Sequence, residues 1–142
     1  MSVGKTGKKQ TKLELLESYR YFEADYKSSE YMVEKWKAKL EYMVGTQSDS
    51  GTFSGGALPG DRVGEYIELW EGIVDRLLER MAIMNAKMIE CESVCDELPT
   101  KYGVLMRMKY ICRMTWREVG ERLSYSEDWV KEMGDQARNM LK

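Results

Sequence analysis

From Leu15 onward the apolar residues recur at alternating intervals of four and three. The positions are Leu15, Tyr19, Phe22, Tyr26, Val33, Trp36, Leu40 and Met43, with Ser29 in the one polar place. That spacing is a heptad seam and predicts a helix over residues 11–44. Gly45 is placed to end it, and the polar, glycine-rich stretch 45–61 reads as a mobile connector. From Val63 the same spacing returns through Ile67, Trp70, Val74, Leu77, Met81, Met84, Met88, Cys91, Cys95 and Leu98. Two seams of similar length on either side of one loop predict an antiparallel coiled-coil hairpin over 11–98. Folded back from the loop, Met43 faces Val63, Trp36 faces Trp70 and Tyr19 faces Met88. Tyr66, Ile73, Leu78 and Val94 flank the second seam and make its apolar stripe wider than one partner helix can cover. We expect a second copy to cover it, in preference to the C-terminal part folding back. Tyr21, Tyr31 and Tyr42 lie off the first seam and are candidates for an oligomer or partner surface.

Pro99 stops the second long helix. A short helix over 100–112 then carries Val104, Leu105, Met108 and Ile111 inward and Arg107, Lys109 and Arg113 outward. Thr115 followed by Glu118 is a capping box, which starts a helix at Trp116 with Val119 and Leu123 on its buried face. That helix ends near Ser124. Ser126 caps a last helix, with Glu127 and Asp128 placing negative charge on its positive end. Met133, Ala137 and Leu141, together with Trp129 or Val130, form its apolar set, and Gly120 offers a place for close crossing. Two short helices joined by three residues make a helix-turn-helix unit over 99–142. The fold class expected is therefore all-α, a long antiparallel helical hairpin followed by a C-terminal helix-turn-helix.

Charge is distributed unevenly behind a net −2. Residues 1–10, with Lys5, Lys8 and Lys9 and no acid, read as a disordered basic tail. Residues 61–98 hold ten acids against four basic residues, and residues 99–142 hold nine basic against six acidic ones. The C-terminal unit is thus mildly basic, a weak form of a nucleic-acid binder's footprint. No apolar run reaches the roughly 20 residues of a membrane span and no signal-peptide core is present, so a cytoplasmic location is expected. Three cysteines suit a reducing compartment.

The run YICRMTWREVGERLSYSEDWVKEMGDQARNML resembles the helix-turn-helix of sigma factor region 4, and more closely that of phage transcriptional regulators of the ArpU and RinA type. Thr115, Trp116, Glu118, Val119, Leu123, Tyr125, Ser126, Val130 and Ala137 carry the resemblance. It implies a regulator in a bacterial host cell that binds double-stranded DNA at a promoter and helps recruit host RNA polymerase, and the wide stripe of the second helix adds the expectation of a homodimer or higher homo-oligomer. Arg107, Lys109, Arg113, Arg117, Arg122 and Lys131 are the candidates for phosphate contact, and Glu127, Asp128 and Lys131 stand nearest the base edges. Such proteins carry polar or basic side chains where this chain has Glu127, Asp128 and Glu132. Cap-dipole stabilisation of about 0.3–1 kcal/mol is a sufficient reason for acids there.

Two other readings remain open at this point. One is a protein-interaction module in which the acidic face of the helix-turn-helix binds RNA polymerase or another partner. The other is a small DNA-packaging recognition subunit. Catalysis is poorly supported, because the chain has no histidine to serve as acid, base or partner of a nucleophile. Cys91 and Cys95 fall on the seam, where a cysteine is a small hydrophobe, and a metal would need two further ligands. We expect no cofactor, no metal and no catalytic residue.

Overall fold

The computed structural model describes residues 10–48 and 60–142. Among these every regular element is helical. α1 is Lys12–Glu17, α2 Tyr19–Ser48, α3 Gly60–Glu97, α4 Thr100–Met106, followed by a π-helical turn Arg107–Ile111, then α5 Trp116–Leu123 and α6 Glu127–Leu141. The basic tail 1–9 and residues 49–59 of the expected connector lie outside the described residues.

The single helix expected over 11–44 differs at both ends. Thr11 opens α1 with a capping box of its own: the Glu14 N–H donates to Thr11 Oγ1 at 3.0 Å and the Thr11 N–H to Glu14 Oε1 at 2.9 Å. One turn later Ser18 interrupts the helix. Its hydroxyl donates to the Glu14 carbonyl at 2.9 Å, and its N–H is shared between Glu14 and Leu15 at 3.1 Å each. A serine inside a helix competes for the preceding carbonyls in this way, and the chain restarts as α2. At the other end α2 continues past Gly45 to Ser48, because glycine weakens a helix without breaking it.

The chain falls into two compact units, residues 1–23 with 85–142, and residues 24–84. This corrects the expected division at residue 98. The reason lies in one core, formed by Leu13 and Leu16 of α1, Cys91, Val94 and Cys95 of α3, Leu98, Leu105 and Met106, Val119 of α5, and Val130, Met133, Ala137 and Leu141 of α6. Leu16, Cys91, Leu105, Met106, Val119, Val130 and Ala137 are fully enclosed. The ends of the hairpin thus belong to the C-terminal helices through shared apolar burial. Val94, expected on an open oligomerisation stripe, is 4% exposed here, so at this position the chain covers itself. Cys91 and Cys95 are core residues. Burial pushes both thiols up to about 11, and Cys91 Sγ donates to the Leu15 carbonyl at 3.3 Å.

The unit of residues 24–84 consists of α2 and α3 segments that run antiparallel. Trp36 and Trp70 meet with ring centroids 5.6 Å apart, as the folded-back seams require, and Tyr66 stacks on Trp70 at 6.2 Å. Asp25 receives Arg80 through Nε at 2.8 Å to Oδ1 and Nη2 at 2.6 Å to Oδ2. This bidentate pair holds the Asp25 carboxyl below the usual carboxylate range. Ser29, Val33, Val63 and Val74 are buried, and the other described seam residues are half-buried.

Candidate nucleic-acid interface

α5 and α6 form a helix-turn-helix-like pair whose geometry follows from four local signals. Thr115 and Glu118 make the expected capping box, with the Glu118 N–H 3.1 Å from Thr115 Oγ1 and the Thr115 N–H 2.8 Å from Glu118 Oε1. Those bonds hold the Glu118 carboxyl below its ordinary value. Ser124 closes α5 in the left-handed region, φ 61 and ψ 41. With it the Tyr125 N–H reaches the Gly120 carbonyl at 2.9 Å, a Schellman-type ending in which serine stands in the place glycine favours. Ser126 then caps α6, taking the Trp129 N–H at 3.2 Å.

Glycines set how closely these pieces approach. A Cβ on Gly120 would lie 2.8 Å from the Tyr125 carbonyl, so Gly120 admits the turn itself and not, as expected, the body of the second helix. A Cβ on Gly134 would lie 2.5 Å from the Trp116 ring. The indole therefore rests on α6 at Gly134, with Lys109 Nζ 4.9 Å and Arg138 Cζ 5.7 Å from its centroid. Sequence reasoning passed over Gly134, Arg138 and Tyr102, whose hydroxyl donates to Gln136 Oε1 at 2.6 Å. A glycine in mid-helix was the one available signal.

The candidate contact residues divide sharply. Arg107 is turned inward to acids, with Nε 2.9 Å from Glu92 and Nη2 2.5 Å from Asp96, so it braces the π turn against α3 and is not an outward cation. Lys109 lies on Trp116, and Arg113 reaches Glu23 at 3.4 Å. Arg117 is 80% exposed and 3.8 Å from Glu121, while Arg122 is exposed in the last turn of α5. On α6, Lys131 pairs with Glu127 at 3.1 Å and Asp128 is exposed. Val130, Met133, Ala137 and Leu141 fill the buried side of α6, where Val130 and not Trp129 is the core residue. Opposite them Asp128, Glu132, Asp135 and Asn139 recur at intervals of four, three and four on the solvent side. Trp129 is 42% exposed and Tyr125, in the turn before α6, 46%.

Of the residues expected at an oligomer surface in residues 24–84, Tyr66 and Ile73 are half-buried and Leu78 is exposed. Tyr21, Tyr31 and Tyr42 are also exposed. Among the described residues no cluster of three or more potential metal ligands occurs, and no helix is long and apolar enough to cross a membrane. No protein-family model, curated protein or solved structure matches this chain.

Proposed function

We propose that this chain is a DNA-binding transcriptional regulator of the phage type that pairs through its helical hairpin and lays α6 in the major groove at a promoter, where it helps recruit RNA polymerase. The observation that carries this reading is the α5–turn–α6 geometry. A capping box, a left-handed Ser124 and the buried set Val119, Val130, Met133 and Ala137 hold two short helices together with the start of α6 exposed. That is the arrangement by which such a unit presents its second helix to base edges. Phosphate contact falls to Arg117 and Arg122 on α5 and Lys131 on α6, with Lys109 and Arg113 before them.

Binding to random duplex DNA across a salt series tests it. Affinity should fall linearly with salt on logarithmic axes, with a slope of about −0.9 per phosphate contact, and Arg117→Ala should reduce the slope by about one contact. Asp128→Ala should strengthen nonspecific binding by removing repulsion. A chain that leaves duplex DNA unbound at about 50 mM salt rules this reading out.

The solvent face of α6 favours a second reading. Asp128, Glu132 and Asp135 line its centre, with Arg138 paired to Asp135 from the side, and this acidic line suits a basic protein surface better than a phosphate backbone. In that case Asp128→Ala abolishes association with the protein partner, and DNA stays unbound.

A further inference from the structure

We propose that an open groove in the unit of residues 1–23 and 85–142 holds a phosphate of the DNA backbone, with Arg20 as a contact residue beside Lys109 and Arg113. This deepens the DNA-binding reading and rests on it. The groove has a volume of about 780 Å³, and its cations come from segments some 90 residues apart in sequence. Arg20 belongs to α2, whereas Lys109 lies in the π turn and Arg113 just after it.

The backbone that delivers Lys109 and Arg113 is irregular in two independent ways. After Met106 the helix loosens into the π turn, in which the Cys112 N–H donates to the Arg107 carbonyl at 2.9 Å. One residue later Arg113 adopts φ 60, a left-handed conformation that costs a non-glycine residue about 1–2 kcal/mol. π turns and left-handed residues of this kind gather at functional sites, where the surrounding fold sustains the strain. Here their joint effect is to bring Lys109 and Arg113 into one groove.

The partners of the three cations are local or long. Arg20 is exposed, donates to the adjacent Tyr21 hydroxyl at 2.9 Å and lies 4.8 Å from the centroid of that ring. Arg113 meets Glu23 at a long 3.4 Å, and Lys109 rests on an indole. Two acids also line the groove. Glu14, held by the Thr11 N–H in its capping box, and Glu17 both oppose the three cations. Met114, at the groove's edge, stands two residues before α5 begins. In a helix-turn-helix the first helix crosses the phosphate backbone, so a phosphate beside the start of α5 falls where such a complex needs one.

The test uses the full chain and duplex DNA of mixed sequence over a salt series. Arg20→Ala should lower the slope of log affinity against log salt by about 0.9 and, at about 0.1 M salt, weaken binding to every duplex about eightfold. Arg20→Lys should restore most of the slope, and Glu17→Gln should strengthen binding. Circular dichroism melts matching the parent's establish that the variants are folded, as expected for an exposed side chain. An Arg20→Ala variant that keeps the parent's slope overturns the groove while leaving the DNA reading standing. A parent chain that fails to shift duplex DNA at about 50 mM salt overturns both.

Discussion

The two compact units are built from the same two long helices and solve the problem of burial differently. In residues 1–23 with 85–142, five helical segments share a core in which seven side chains are fully enclosed. In residues 24–84, two helix segments meet along one seam, and Leu69, Leu78 and Ile83 stay between 42% and 61% exposed. Two helices can close a stripe only about two residues wide, whereas a third and fourth helix turn the same stripe into an interior. The contrast teaches that a heptad pattern announces a seam but not how many helices will close it.

The largest expected effect compares one substitution in both settings. Leu105→Ala removes a fully enclosed side chain and should cost about 2–5 kcal/mol in thermal or denaturant unfolding, whereas Leu77→Ala on the half-buried seam should cost about 1 kcal/mol. An equal cost at Leu77 would break the comparison, since the seam would then be closed by further surface. Replacing both Ile73 and Leu78 by glutamate asks whether a second copy supplies that surface. Sedimentation should show the parent as a dimer and the variant as a monomer of unchanged helicity; a parent already monomeric at micromolar concentration sinks the pairing.

A smaller effect comes from the Asp25–Arg80 pair. The Asp25 carboxyl titrates below its ordinary 3.8 in the folded chain, so its contribution is present above that pH and is lost as pH falls through the lower folded value. Asp25→Asn should therefore lower stability by up to about 1 kcal/mol at neutral pH. Melts at pH below the folded Asp25 value should bring parent and variant together. Smallest is Ser124→Gly at the left-handed end of α5. Relief of the backbone outweighs the extra freedom of the unfolded chain, for a net gain of about 0.5 kcal/mol. A loss instead would mean that the serine side chain stabilises the turn.

Much of the architecture is legible in local pattern. The alternating four-and-three spacing announces both long helices, and the Trp36–Trp70 pairing follows from folding one seam onto the other. Thr115, Glu118 and Ser126 mark the helix starts of the α5–α6 pair, because a capping bond links residues three apart and depends on nothing distant. What only the tertiary structure decided involves partners far along the chain. Arg107 reads as an outward cation until Glu92 and Asp96 are brought beside it. Val94 reads as open stripe until the C-terminal helices close over it, and Arg20 has no evident connection with Lys109 and Arg113 until one groove contains all three. Periodicity and caps are encoded over one or two turns, so sequence displays them directly. Which face meets which, and which charge finds an opposite one, is settled by burial summed over the whole unit, and no stretch of sequence carries that sum alone.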